Sequence, residues 1–373
     1  MKPRLAVTGI RGIPANFGGS ETAVEEIGSR LVQDGYEATV YCRRAYDQAK
    51  VPIHRGMRRV VLPSARSSSF ATVSHSLLAS LHILVFNTAD VVHFHGVGNG
   101  LLAPLFRFSR KKVVITIDGP DWNRPKWGFA ARLALRAGAV LGTRYADELI
   151  IDNHPTRGYW RRRFGSDGTY IPYGADRHRP NGTEFIQSLG LQPRGYLLFV
   201  GALVPDKGPD ILLDAYKTVP GDMPLIIVGD SPFAESYRKG LEDAAANDDR
   251  VRMMGYVWGS HYRELVAHAY AYIHPLRSDG TSPALLQAMK FSSCIIVNSL
   301  PESLAAVGDA ALPYKTNDPH DLSRSIAHVL ADPDLASTFR ERAADRAAAE
   351  FDWDRVTQAH ADLYLRITKG TND

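Results

Sequence analysis

The sequence predicts an α/β chain of two doubly wound, Rossmann-like domains facing each other across a cleft. Three observations predict it. Ten short, continuously apolar runs alternate with helix-length segments, the pattern of parallel sheets covered on both faces. The runs form two series that part at the turn-rich junction Tyr173-Gly174-Ala175-Asp176. A chain of 373 residues, 45% hydrophobic, can furnish two ordinary domains with a core each.

Strands are expected at residues 5–8, 38–41, 91–94, 113–117 and 149–152, then at 196–200, 225–228, 251–254, 271–274 and 294–297. The expected domains are 1–172 and 173–350, followed by a closing helical segment, 351–373. Ligands of such sheets bind beyond the carboxyl ends of the strands, so the loops there are where chemistry is sought. No run of eighteen apolar residues occurs. The stretch 77–86 is short, contains His82 and reads as a buried helix rather than a membrane span. The N-terminus runs straight into a strand and carries no signal-peptide pattern. Cys42 and Cys294 lie in strand-like contexts in different halves and read as buried apolar residues, as suits a cytoplasmic protein without disulfides.

The net charge of +4 conceals an asymmetry. Residues 1–175 hold 24 Lys/Arg against 13 Asp/Glu, while the remainder holds 20 against 27. A basic first half suits an anionic partner, nucleic acid or membrane phospholipid. No nucleic-acid motif accompanies the basic clusters, so a peripheral contact with an anionic membrane is expected and nucleic acid is not.

The first strand-end loop, residues 9–21, carries Gly18-Gly19-Ser20-Glu21. Its glycines let backbone come close to a ligand, and Ser20 or Glu21 begins a helix over about 22–32. The spacing is not the dinucleotide fingerprint, and a plain capping loop fits it too. His93 and His95 share one side of a strand. A metal there would need a third ligand that the spacing does not supply, so His95 is expected to face the cleft as a polar residue.

The segment Asp118-Gly119-Pro120-Asp121-Trp122-Asn123-Arg124-Pro125-Lys126-Trp127 sets two carboxylates and two indoles just past a strand. Such groups suit a sugar, with rings over its apolar faces and carboxylates on its hydroxyls. Turn-forming aspartates in a loop packed by its own aromatics give the same pattern. The helix 129–140 carries Arg132 and Arg136 on one face, fit for a membrane surface or for water.

In the second half, Gly201 ends a strand and Lys207-Gly208 follows in its loop, the lysine a candidate phosphate partner. Asp230 and Tyr256 close two further strands, the latter where backbone can meet a nucleobase. The stretch around which the second half is organised is Arg277-Ser278-Asp279-Gly280-Thr281-Ser282-Pro283, leading into a helix that carries Gln287. Ser282 is a candidate N-cap and Pro283 suits the first helical position. A helix starting there aims unpaired N–H groups at a phosphate, with Asp279 and Gln287 on sugar hydroxyls. An ordinary capped strand–turn–helix reads the same way.

Taken together, these residues resemble the retaining GT-B glycosyltransferases of the large fourth family, and within it the bacterial rhamnosyltransferase branch. The markers are Gly18-Gly19-Ser20-Glu21, the segment Asp118 to Trp127, Ile171-Pro172-Tyr173-Gly174-Ala175-Asp176, Val200-Gly201 with Lys207-Gly208, and Gly280-Thr281-Ser282-Pro283 with Gln287-Ala288-Met289. The aspartate–tryptophan segment points to the branch. The resemblance implies an acceptor-binding first domain, a donor-binding second domain and a final helix that crosses back to the first. It implies no metal and no cofactor, only a nucleotide diphosphate sugar as co-substrate, thymidine diphosphate-rhamnose or a uridine diphosphate sugar. The acceptor would be a polysaccharide or lipid-linked glycan. In the front-side mechanism it implies, the departing phosphate takes the acceptor's proton.

On that resemblance Asp118, Asp121, His95 and Asp279 are the candidate catalytic residues. Gly201, Lys207, Asp230, Tyr256, Arg277, Gly280, Thr281, Ser282 and Gln287 would bind the donor. Gly18, Gly19, Ser20, Glu21 and Trp122 would line the acceptor loop. The chain departs from the family where Ala202 replaces an arginine and where paired glutamates appear as Asp279 and Gln287. The lost guanidinium removes a phosphate contact worth about 1.5–3 kcal/mol, for which Arg277 can compensate. Two other readings keep the fold. One is a non-catalytic nucleotide-sugar-binding subunit; the other is a nucleotide-sugar epimerase, whose acid/base set is not identified.

Overall fold

The computed structural model describes all residues except 1, 16–17, 48, 66–69, 125–126, 177–178, 232–233, 278–280 and 370–373. The chain divides into two compact units, Met1–Tyr173 with Trp353–Asp373, and Gly174–Asp352.

The first unit runs β1 (Leu5–Thr8), α1 (Gly19–Gln33), β2 (Ala38–Arg43), β3 (Ile53–His54), β4 (Met57–Leu62), α2 (Ala71–Phe86) and β5 (Val91–His95). It continues through a 3-10 segment, Val97–Phe106, to β6 (Lys112–Ile117), α3 (Phe129–Tyr145), β7 (Glu148–Ile151), α4 (His154–Phe164) and β8 (Thr169–Tyr170). The strand order is β3-β4-β2-β1-β5-β6-β7-β8. Pairing is parallel except at β3–β4, with Leu5 level with Ala38 on one side and Val91 on the other. Alternate strand residues such as Ala6, Val92, Phe94, Val113 and Ile115 join Ala79, Ile83, Phe106 and Ala139 in one core.

The second unit runs α5 (Glu184–Ser188), β9 (Leu197–Val200), α6 (Pro209–Tyr216), β10 (Leu225–Val228), α7 (Glu235–Ala245), β11 (Val251–Met253), α8 (Gly259–His268) and β12 (Ala271–His274). There follow α9 (Pro283–Lys290), β13 (Cys294–Asn298), α10 (Pro301–Val307), β14 (Leu312–Tyr314), α11 (Pro319–Ala331) and α12 (Pro333–Glu350). Its sheet is wholly parallel, ordered β11-β10-β9-β12-β13-β14. Aspartates cap the last two of these helices, Asp318 accepting from His320 N and Asp321 N, and Asp332 from Leu335 N.

The chain then re-enters the first unit as α13 (Trp353–Lys369). There Tyr364 meets His93 and Arg30 pairs with Asp354 at 2.9 Å. Cys42 and Cys294 are free and buried.

Four strands escape the apolar-run pattern, for physical reasons. β4 carries Arg58 and Arg59 side by side, and Arg59 is buried against Asp47. β3 and β8 are two residues each, and β14 is an edge strand holding Pro313. One expectation is corrected outright. The stretch 77–86 forms a helix as predicted, but Leu77, Leu78, Leu81, Val85 and Phe86 are exposed, so it is not a buried helix. Its other side alone, through Ala79 and Ile83, meets the core.

Candidate active site

Each sheet has one place where the strand order reverses. In the first unit β1 is followed by β2 on one side and, later, β5 lies on the other. The loops after β1, β5 and β6 therefore emerge together at the carboxyl edge.

The loop after β1 is held by the helix it leads into. Glu21 is 6% exposed, and its Oε1 accepts the backbone N–H of Arg11 at 3.0 Å. Glu25 does the same for Ala15 N at 2.7 Å. Gly18 caps α1 in extended backbone, its carbonyl accepting from Thr22 N, with Gly19 and Ser20 in the first turn.

After β6 the chain makes a 3-10 turn, Asp121–Asn123. Asp118 Oδ1 accepts the Tyr173 hydroxyl at 2.9 Å, and Asn153 Nδ2 donates to Asp118 O at 3.3 Å. Burial and then the charge of Asp121 push the Asp118 carboxyl above its ordinary range, against the Tyr173 hydrogen bond and Arg124. Asp121 is paired with Arg124 at 2.9 Å. Tyr173 is pushed well up, by burial first and Asp118 second, while a hydrogen bond from Ser20 opposes the shift. Tyr173 and Asp118 thus form a hydrogen-bonded pair, with Ser20 and the Asp121–Arg124 pair beside it. Tyr173, Asn153 and Arg124 were not singled out as site residues. Tyr173 could have been, as the lone hydroxyl-bearing ring at the junction.

Two expectations for this unit are corrected. Trp122 is 5% exposed and packs on Trp160, Tyr159 and Phe164 with ring centres 5.8, 6.3 and 6.3 Å away. It offers no free face to a sugar. His95 is also buried. It stacks on His93 at 4.6 Å, and burial with the charge of His360 lowers it to about 3. His93 has partners at both nitrogens, Tyr364 Oη at 2.8 Å and Thr116 Oγ1 at 2.7 Å. His95 borders a small cavity with Thr116, Asp152, Tyr173 and His360. No group of His, Cys, Asp or Glu side chains among the described residues is placed to hold a metal ion.

In the second unit the order reverses between β9 and β12. Two glycines allow the loops there to approach closely. A Cβ on Gly229 would meet Gly201 O at 1.8 Å, and one on Gly208, at φ +70, would meet Pro275 O at 2.1 Å. Lys207 ends the 3-10 turn Pro205–Lys207 and is half-buried. Its charge, after burial, lowers His274 at the end of β12 to about 3. His274 Nε2 is buried without a hydrogen-bond partner among the described residues. It was missed because a histidine closing an apolar strand looks like any strand end.

α9 begins at Pro283 with Ser282 as its cap residue, although the Ser282 side chain makes no capping bond. Thr281 lies beside it, half-buried. Asp279 and Gly280 lie outside the described residues. Arg277 donates to both Asp210 oxygens, at 3.1 and 2.8 Å, so it is committed to α6 rather than left to replace the guanidinium absent at Ala202. Gln287 is buried, its Oε1 accepting Asp176 N at 3.0 Å, and it holds the 174–176 segment instead of reaching for a ligand. Asp230 accepts from Ser231 N at 2.6 Å and faces Arg238 at 3.5 Å. Tyr256, 49% exposed, stacks on Trp258, 51% exposed, at 5.1 Å. Trp258, also missed, could have been found from its alternation with Tyr256 in the extended loop.

Comparison with known proteins accords with this two-part construction. Residues 17–179 match the model of Glycosyltransferase Family 4, and residues 182–346 that of Glycosyl transferases group 1. The chain is similar to O-antigen chain mannosyltransferase B of Escherichia coli, 28% identical over 222 residues, 57% of this chain and 55% of that one. The chain spans about half the length of the first curated relatives it matches. Among solved structures, sucrose-phosphate synthase from Thermosynechococcus elongatus superposes with a TM-score of 0.85 at 19% identity, covering 98% of this chain and 99% of that one. HepE of Anabaena, solved in complex with UDP-glucose, gives 0.81 at 18% identity over 97% and 99%. These likenesses show the fold. With one model matched by each half, the chain belongs to the group 1, family 4-like glycosyltransferases of the GT-B type.

Proposed function

We propose that the protein is a retaining glycosyltransferase that moves rhamnose from a nucleoside diphosphate to a polysaccharide or lipid-linked glycan, without a metal. The observation that carries the reading is the second unit's reversal point, where Lys207 and the start of α9 lie on the loops after β9 and β12. A cation and the positive end of a helix dipole suit a diphosphate, whose charge grows as the anomeric C–O bond breaks. The acceptor oxygen attacks that carbon from the same side, and its proton passes to the departing phosphate. In the first unit Asp118 and Asp121 hold acceptor hydroxyls, with Tyr173 fixing Asp118. Exposed Tyr256 and Trp258 offer ring faces to the base. HepE, a structural likeness, was solved with UDP-glucose; the choice of rhamnose rests on the segment 118–127. The protein would act at the cytoplasmic face of the membrane, where lipid-linked acceptors are presented.

The test is release of nucleoside diphosphate from a panel of nucleotide sugars, with lipid-linked acceptor and with a chelator present. Acceptor-dependent release from dTDP- or UDP-rhamnose supports the reading. A second reading, a binding subunit without transfer, is favoured by Ala202 together with the engagement of Arg277 and Gln287 by their own unit. It predicts binding with no release under any condition.

A further inference from the structure

The helical layer over one face of the first sheet leaves a broad apolar surface uncovered. α2, the 3-10 segment Val97–Phe106 and α3 connect β4 to β5, β5 to β6 and β6 to β7, all stepping the same way across the sheet. Crossovers of the usual right hand that step one way share one face. Ala79, Phe106 and Ala139, one from each, meet in a single core, and both helices pack on the segment between them. The outer sides of α2 and α3 therefore point the same way.

α2 contains no Asp, Glu, Lys or Arg, and its exposed Leu77, Leu81 and Val85 recur at i, i+4 and i+8. α3 exposes Phe129, at 85%, and Leu133 on a stripe with Arg132 and Arg136. Neither arginine has an ion-pair partner among the described residues. Residues 122–146 include five basic side chains and no acidic one. Phe108, just past the 3-10 segment, is almost wholly exposed, with Arg107 over its ring.

We infer that this layer is the face on which the protein docks to an anionic lipid bilayer, α2 and Phe108 entering the acyl boundary and the α3 arginines meeting headgroup phosphates. The inference rests on the reading of a lipid-linked acceptor and names the surface that would bring the chain to it. A second copy of the chain is the rival occupant. A two-fold interface over this face would bury the arginines of α3, and neither α2 nor α3 carries an acid to pair with them.

The test is co-flotation of the full chain with vesicles of phosphatidylcholine alone or mixed with phosphatidylglycerol. Binding is expected to require the anionic lipid and to weaken with salt. Leu81→Ser with Val85→Ser, and separately Arg132→Gln with Arg136→Gln, should each lower it on the order of tenfold. These side chains are exposed, and an unchanged melting temperature confirms that the variants fold. Absence of binding to either vesicle, or equal binding by the variants, overturns the inference. So does a concentration-dependent dimer that Leu81→Ser dissociates. Thermal shifts with nucleotide sugars are read on the same samples without vesicles: failure there counts against the donor reading and leaves the lipid result standing.

Discussion

Asp118 lies where burial and a neighbouring carboxylate both oppose its ionisation. Its native pKa is raised above the unfolded value of about 3.9, so within that window the folded state binds more protons than the unfolded one. Stability then falls as pH rises through the window and stays lowered above it. Asp118→Asn removes this cost. It should leave the melting temperature at neutral pH unchanged or higher and remove the stabilisation that acidification through this window gives, so that the acid-side fall in stability steepens, while transfer drops by about 10- to 100-fold through loss of a charged hydrogen bond. A melting temperature lowered as if by a core deletion would make Asp118 structural. The buried histidines act with the opposite sign. His95 and His360 are lowered to about 3 and about 4. The stability from keeping them neutral is complete above the unfolded value near 6.5 and is lost as pH falls toward 4, each group giving up to about 1.4 kcal/mol per pH unit. Urea midpoints measured through that range should fall steadily, and His360→Gln should make the fall shallower.

At the scale of elements, the turn at Asp121–Asn123 is anchored by Trp122 among Tyr159, Trp160 and Phe164. Trp122→Ala should therefore cost about 3–5 kcal/mol in denaturant unfolding. A sugar-stacking tryptophan would instead raise KM at constant stability. In the second unit, Gly208→Ala puts a Cβ 2.1 Å from Pro275 O at φ +70. It should cost about 1–3 kcal/mol and weaken nucleotide-sugar binding by displacing the Lys207 loop, as calorimetry would detect. The strands that position these loops were legible because a parallel strand buried on both faces is an unbroken apolar run, as at Leu225–Val228 and Ala271–His274. β4 was not, because a buried arginine there is neutralised by an aspartate ten or more residues away. Side-chain commitments were hidden for the same kind of reason. Nothing local to Arg277 or Gln287 announces that Asp210 and the backbone of Asp176 engage them. Trp122 illustrates the limit of composition, since an indole beside two carboxylates suits a sugar and a core equally well.

At the scale of the whole molecule, the basic first half carries the uncovered apolar layer, which suits a lipid surface, and the more acidic second half carries Lys207 at its reversal point. If the proposed function holds, the Lys207 loop binds a nucleotide diphosphate sugar. The decisive measurement is titration calorimetry of dTDP-rhamnose and UDP-sugars against the full chain and Lys207→Ala, in chelator. Saturable binding without metal is expected, weakened about tenfold or more in the variant. Absence of binding to every nucleotide sugar, or equal affinity in Lys207→Ala, would contradict it.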